Sequence, residues 1–243
     1  MPPLVGAVVA FDLDGTLVET APDLIGALNV VLAERGLPGL PVAAARVLVG
    51  GGARSLVRKG FLAAGGRLDE AEVGGLAARY IEVYRTRIAS ESRPFPGVEA
   101  ALDVLAAAGA TLAVCTNKRT DLSVALLEAL GLSGRFAAVI GADLAPAAKP
   151  DPRHFLHAIE AAGGDPAWAL MVGDSLADVA SAQGAGSPAV VVSFGYTDVP
   201  AGDLGADAVI DHFDELPAVA QRLLSALRGG PRSDIAPPSQ ADA

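Results

Sequence analysis

Cysteine is all but missing from this 243-residue chain. Cys115 stands alone, which excludes an internal disulfide and fits a reducing compartment, so a cytoplasmic protein is expected. Long apolar runs are missing too. No window approaches the roughly 18 consecutive apolar residues that cross a bilayer, so no membrane helix or membrane partner is expected. The apolar run at 4–11 has no basic stretch ahead of it and leads straight into acidic residues, which reads as a strand and not as a leader. Positive charge is scarce: 18 Lys and Arg stand against 28 Asp and Glu, a net charge of −10. Nucleic acid, which demands a basic face, is therefore not an expected partner. Lysine is scarcer still, with only Lys59, Lys118 and Lys149 among 15 Arg. In a chain that otherwise uses Arg, a retained Lys is a candidate for chemistry that needs a compact point charge. No internal repeat is present.

What is there is ample core material. The chain is 51% hydrophobic and 19% charged, enough for one large domain or one domain with a smaller insert. Charge is unevenly placed. Residues 17–93 hold ten basic and eight acidic residues, a balance of +2, whereas the rest of the chain balances at −12. Two bodies with different tasks are expected. In 17–93 the spacing predicts helices only: 22–36, opened by Pro22 and closed by Gly36, then 42–49, 54–62 and 69–90. Gly50-Gly51-Gly52 interrupts them, and Gly74-Gly75 weakens the last. Beyond Gly97 the pattern alternates, with strands at 111–115, 137–140, 169–172, 189–192 and 208–210 and helices at 98–108, 119–130, 152–162, 176–183 and 216–227. This predicts an α/β fold: a Rossmann-like parallel sheet core with helices on both faces, plus a small all-helical cap inserted after the first strand. The expected domains are a core of 1–16 with 94–228, a cap of 17–93, and a disordered tail at 229–243.

Ligands of such sheets gather where the strands end. The first strand ends in Asp12-Leu13-Asp14-Gly15-Thr16. Two carboxylates two residues apart on an extended backbone point the same way, and burying such a pair is costly unless a cation compensates. Thr116, Asn117 and Lys118 follow the second strand of the core. A loop through Asp143 to Lys149-Pro150 follows the third. Gly173, Asp174 and Ser175 follow the fourth, with Asp178 three residues on. Carboxylates suit a hard cation bound through oxygen. Thr116 offers a hydroxyl and backbone N–H groups to a phosphate, and Lys149 a fixed positive charge.

These four strand ends resemble the motifs of the haloacid dehalogenase-like hydrolases, and the match covers the chain except its tail. The 17–93 insert looks like that family's four-helix type of cap. FDLDGTLVETAPDL at 11–24, Gly50-Gly51-Gly52 and Val192-Ser193-Phe194-Gly195-Tyr196 are most similar to its phosphoglycolate phosphatase branch. The resemblance implies a Mg²⁺-dependent phosphatase of a small anionic phosphate ester, 2-phosphoglycolate above all, acting through an aspartyl-phosphate. Asp12 would be the nucleophile and Asp14 the general acid and base. Mg²⁺ would sit on the carboxylates of Asp12 and Asp174 and the backbone carbonyl of Asp14. Thr116, Asn117 and Lys149 would hold the phosphoryl oxygens. Asp178 would orient Lys149 or a water on the metal, with Ser175 beside it.

The electrostatics of such a site require the cation. Unit charges about 4 Å apart interact by roughly 4 kcal/mol at an effective dielectric near 20, so a phosphate dianion facing one carboxylate meets repulsion on the order of 8 kcal/mol.

The cap would select the substrate, with Gly51, Gly52 and Arg54 as candidate contacts and Arg58 and Lys59 read as a solvated face. The alternative is hydrolysis of a sugar phosphate, a nucleotide or a pyrophosphate, since sugar-phosphate and pyrophosphate hydrolases of the family share much of this pattern. Other reactions of the family fit less well. A dehalogenase has no use for Asp14, a phosphonate hydrolase would depend on Lys59, and a mutase would want a histidine that 17–93 lacks. A phosphate-binding module without catalysis would leave the full set of acids and lysine unexplained. His154, His157 and His212 read as surface or structural, Cys115 as an inert core thiol, and Trp168 as packing. Lys118 could touch phosphate or lie on the surface. Oligomeric state stays open between monomer and homodimer.

Overall fold

The computed structural model describes residues 4–229. Strand β1 (Val8–Phe11) leads through a two-residue strand, β2 (Val18–Glu19), into four helices: α1 (Ala21–Glu34), α2 (Val42–Ala45), α3 (Gly52–Ala63) and α4 (Glu70–Arg85). The chain returns through β3 (Arg93–Pro94), which pairs antiparallel with β2. Then strands and helices alternate: α5 (Val98–Ala107), β4 (Thr111–Thr116), α6 (Thr120–Ala129), β5 (Ala138–Gly141), α7 (Pro152–Ala161), β6 (Ala169–Gly173), α8 (Leu176–Gly184), β7 (Ala189–Val192), β8 (Ala208–Ile210) and α9 (Leu216–Gly229).

The six long-range strands form one parallel sheet in the order β5-β4-β1-β6-β7-β8. Successive side chains of a strand face opposite sides, and β1 displays this fully. Val9 and Phe11 join the core under α5, α6 and α9, while Val8 and Ala10 join the core under α7 and α8. Each such large side chain contributes roughly 1.5–3 kcal/mol when fully buried. β1 is central, with β4 on one side and β6 on the other. The strand order reverses direction here, and the crevice outside the carboxyl ends of β1, β4 and β6 is where such a sheet takes a ligand.

Helices α1, α3 and α4 bury a third set of side chains, among them Leu24, Leu28, Leu56, Phe61, Tyr80 and Tyr84. The spacing Leu24, Ile25, Leu28, Val31, Leu32 puts the apolar stripe of α1 on one face. No described helix is long and apolar enough to cross a membrane.

The fold class read from the sequence stands, with local differences. The first strand is shorter than the apolar run at 4–11, because Gly6 turns the chain in the left-handed region (φ +89°) and Leu4 N–H donates to Ala108 O at 2.7 Å. The β2–β3 pair at the two edges of the insert has no signal in its composition; each strand exists only because the other is there. The helix expected over 69–90 stops at Arg85, since the carboxylate of buried Asp23 accepts from Glu91 N–H (2.9 Å), Ser92 N–H (2.8 Å) and Ser92 Oγ (2.7 Å). Gly229, expected in the tail, closes α9; the rest of that tail lies outside the described residues.

Candidate active site

Asp12 is the first residue past β1, and its N–H donates to Val172 O at 2.9 Å, which ties it to the tip of β6. Three residues on, Gly15 has φ +85°, and a Cβ there would stand 2.4 Å from Asp174 Oδ2. Glycine is therefore required for the first strand's loop to close over the fourth motif.

Lys149 lies at the centre. Its ammonium is almost wholly buried and stands 2.6 Å from Asp178 Oδ1, 2.6 Å from the Cys115 carbonyl and 3.1 Å from Asp12 Oδ1. Asp12 and Asp178 together hold the lysine charged, raising its pKa although burial opposes this. Asn117 sets the position of the lysine, accepting from its N–H at 2.9 Å and donating to its carbonyl at 3.0 Å. Asp178 is fully committed. Its Oδ2 accepts from Ser175 Oγ (2.6 Å), Ser175 N–H (3.0 Å) and Asp174 N–H (3.3 Å), a capping box that opens α8.

One carboxylate oxygen from each of Asp12, Asp174 and Asp178 lies within 4.8 Å of the others. Burial pushes the Asp12 carboxyl up to about 6; Asp178 and Asp14 add to this and Lys149 opposes it. Asp174 is raised well above the usual carboxylate range by burial first and by Asp178 and Asp12 next. Two acids that resist ionisation beside a single lysine form a set short of positive charge. Asp12 Oδ1 is buried and accepts no hydrogen bond, since the nearby lysine lacks the alignment for one. An all-oxygen donor set with an orphaned buried carboxylate oxygen fits a hard divalent cation.

Asp14 turns away from this cluster. Its carboxylate pairs with Lys118 Nζ at 2.9 and 3.1 Å, and that ammonium lies 4.4 Å from the centre of the Tyr84 ring. A cavity of about 440 Å³ opens here, lined by Asp12, Asp14, Thr116, Lys118, Gly51, Gly52 and Arg54 among others, with Leu56, Ala77, Tyr80 and Ile81 forming an apolar wall. The first two core motifs and the cap candidates thus meet at one cavity, while Asp174 and Ser175 line a second one that shares Asp14 with it. Thr116 is buried at the edge of the first, its Oγ1 accepting from Lys118 N–H at 3.2 Å.

Lys118 is the residue that sequence reasoning left undecided; its signal was its rarity and its place directly after Thr116-Asn117. Tyr196 and Thr16, which reach Asp174 at 2.7 Å (through the Tyr196 N–H) and 3.5 Å, were not singled out as site residues. Arg58 pairs with Glu70 on the exposed face of the helices, as its reading as a solvated residue requires. The remaining candidates are structural. His154 is buried with Nε2 3.2 Å from Ile140 O, and burial lowers its pKa to about 4, so it is neutral. Burial pushes the Cys115 thiol up to about 12. Trp168 Nε1–H donates to Leu224 O at 3.1 Å beneath the guanidinium of Arg228.

The parallel sheet brings acids and two lysines, Lys118 and Lys149, together at its strand tips, an arrangement suited to carboxylate chemistry, and comparison with known proteins names the class. A family model described as haloacid dehalogenase-like hydrolase matches residues 7–186, and the chain belongs to that family. The chain is 57% identical over 220 residues to the phosphoglycolate phosphatase of Caulobacter vibrioides, covering 90% of this chain and 93% of that one. It is 36% identical over 219 residues to the N-acetylmuramic acid 6-phosphate phosphatase of Pseudomonas aeruginosa, covering 89% and 95%. The solved structure of a predicted phosphoglycolate phosphatase from Haemophilus somnus superposes with a TM-score of 0.81 at 30% identity, covering 90% of this chain and 99% of that one.

Proposed function

We propose that the protein is a Mg²⁺-dependent phosphatase that hydrolyses 2-phosphoglycolate to glycolate and phosphate. The observation that carries this reading is that Asp12, whose Oδ1 accepts no hydrogen bond and lies 3.1 Å from the buried, charged Lys149, lines a cavity that also holds Asp14. Asp12 attacks phosphorus through one carboxylate oxygen while Asp14, released from Lys118 and protonated, delivers its proton to the departing alkoxide, so the ester P–O bond breaks as the aspartyl-phosphate forms. Asp14, now ionised, takes a proton from the water that attacks this phosphorus, and the acyl-phosphate P–O bond breaks to free Asp12. Thr116 donates its hydroxyl to a phosphoryl oxygen and Lys149 its charge. Asn117 serves through its backbone amide, because its side chain already holds Lys149. Phosphoryl transfer asks chiefly for positioning and charge stabilisation.

Asp12 and Asp174 would hold the divalent ion, since both oxygens of Asp178 are engaged elsewhere. The ion supplies positive charge against the repulsion of the phosphate dianion. Mg²⁺ is assigned because it is satisfied by one or two carboxylates among oxygen donors. Phosphate released from 2-phosphoglycolate is expected to fall about a thousandfold with excess EDTA and to return with MgCl₂. Chelator-resistant turnover would reject the metal, and no turnover of this ester would reject the substrate.

Residues 17–93 are proposed to act as the cap. Arg54 lines the cavity; among the described residues it makes no hydrogen bond or salt bridge and feels Glu70 only as a nearby charge, so its guanidinium can turn to the glycolate carboxylate. Arg54→Ala is expected to raise KM for 2-phosphoglycolate about tenfold and to leave KM for p-nitrophenyl phosphate within about twofold, as loss of one charged hydrogen bond predicts. Equal effects on the two esters would remove Arg54 from carboxylate recognition. The cavity is roomier than glycolate requires, which favours as a second reading the phosphate ester of a larger acidic sugar; a panel of phosphate monoesters separates the two. The lone buried cysteine supports a cytoplasmic place for the enzyme.

A further inference from the structure

Tyr196 ends the stretch Val192-Ser193-Phe194-Gly195-Tyr196, and the reaction above makes no use of it. It is almost wholly buried, and both of its ends are engaged. Its backbone N–H donates to Asp174 Oδ2 at 2.7 Å. Its hydroxyl accepts from Thr20 N–H at 2.7 Å and Ala21 N–H at 2.9 Å, and donates to Glu19 Oε1 at 2.6 Å. A phenol has one proton and two acceptor lone pairs, and here all three are used.

The amides belong to Thr20, the capping residue, and Ala21, the first residue of α1, and neither has a partner within the helix. The side chain of Thr20 does not serve the helix start either. Its backbone is in the right-handed helical region where a cap needs an extended one, and its hydroxyl is buried with no hydrogen-bond partner. A tyrosine 176 residues away in sequence therefore caps the first helix of the insert.

The ring has little freedom. A Cβ on Gly15 would stand 2.8 Å from its Cδ2, and one on Gly195 would stand 2.1 Å from Asp174 Cβ. On the other side, the Arg46 guanidinium lies 4.9 Å from the ring centre while bonding Glu19 Oε2 and the Phe194 carbonyl, each at 3.1 Å.

We infer that Tyr196 is a positioning residue, a strut joining the Asp174 carboxylate to the hinge of the helical insert, so that the divalent site and the insert's orientation are coupled. Close packing converts a small shift of Asp174 into displacement of the Tyr196 backbone, and the hydroxyl carries that displacement to α1. Coupling of this kind is reciprocal, so loosening the hinge must weaken ion binding although the hydroxyl touches no ion.

The inference rests on Asp174 as a metal ligand, and its test uses Mg²⁺ alone, without substrate. In the unaltered protein, MgCl₂ is expected to slow hydrogen exchange at the amides of Thr20 and Ala21 and along α1. Tyr196→Phe keeps the ring and the amide to Asp174 but loses all three hydroxyl bonds. It is expected to weaken Mg²⁺ binding, measured by titration calorimetry, about fivefold or more and to abolish the Mg²⁺ response of α1. Unchanged Mg²⁺ affinity in a folded Tyr196→Phe protein would overturn the strut, even if the hinge exchanged faster. Should that variant not fold, Glu19→Ala removes the hydroxyl's acceptor and is expected to act in the same direction, with the same overturning result. An unaltered protein that binds no Mg²⁺ would overturn the metal reading and the strut together, whereas equal binding in both proteins overturns the strut alone.

Discussion

Asp12→Asn is expected to reduce phosphate release by about four orders of magnitude or more, as loss of a covalent nucleophile does, and yet to raise stability at pH 8 in EDTA. Burial raises the Asp12 carboxyl to about 6 from 3.8. A carboxyl that holds its proton more tightly folded than unfolded contributes its stability below the unfolded value, and that contribution is lost as pH rises through about 6. Above that, the ionised group costs the folded state roughly 3 kcal/mol. Asn carries no charge to bury. The metal-free variant should therefore melt on the order of 5–10 °C higher at pH 8, with the gap closing towards pH 4. Saturating Mg²⁺ is expected to stabilise the unaltered protein by mass action and so to narrow the gap from the other side. Thermal melts across pH 4–8, with and without MgCl₂, read all of this. A folded variant with turnover within tenfold of normal would reject Asp12 as the nucleophile.

Lys149→Met should have the opposite effect on stability. It deletes the one cation in contact with both Asp12 and Asp178 and strands the latter, which has no solvent exposure. Leaving a buried charge unpaired costs about 3–5 kcal/mol, here on the order of 10 °C in melting temperature. Turnover should fall about a thousandfold, the scale of losing one preorganised charge at a phosphoryl group. The loss of stability should shrink as pH falls, because protonated carboxyls no longer need a partner. Combining the two substitutions should return part of the stability lost in Lys149→Met alone, since only Asp178 then remains unpaired. Strictly additive effects would mean that Asp12 and Lys149 do not interact. Arginine is not expected to rescue the position, because a planar fork cannot take the place of a point charge packed among two carboxylates and a carbonyl.

The opposed stability effects separate chemistry from folding. Both residues are proposed to be essential for turnover, but one is a charge that the fold tolerates and the other the charge that makes it tolerable. An arrangement of this kind is expected where function sets residue choice against stability.

Much of this site could be read from residue order. Asp12 and Asp14 share a face because an extended chain repeats every two residues, and the alternation of strands with helices dictated that their tips would gather on one edge. Lys149 stood out by its rarity and by its place in the loop that follows the third core strand. Three features were out of reach. The Asp14–Lys118 pair joins residues 104 positions apart. The carboxylate of Asp23 that ends α4 early is used by amides nearly seventy positions on. Tyr196 reaches the start of α1 only because β7 lies two strands from β1 in the sheet.

By itself the sequence determined the kind of fold, the run of its elements beyond residue 97 and the set of polar residues at the strand ends. These follow from local rules: periodicity, turn residues and the short reach of a strand tip. Only the tertiary structure decided which acid each lysine would hold, where the helices of the insert begin and end, and which carboxylate oxygens were left without a donor. Those outcomes depend on pairs of groups that meet across the fold, and their strength is set by burial, which no single stretch of chain possesses before the rest has packed around it.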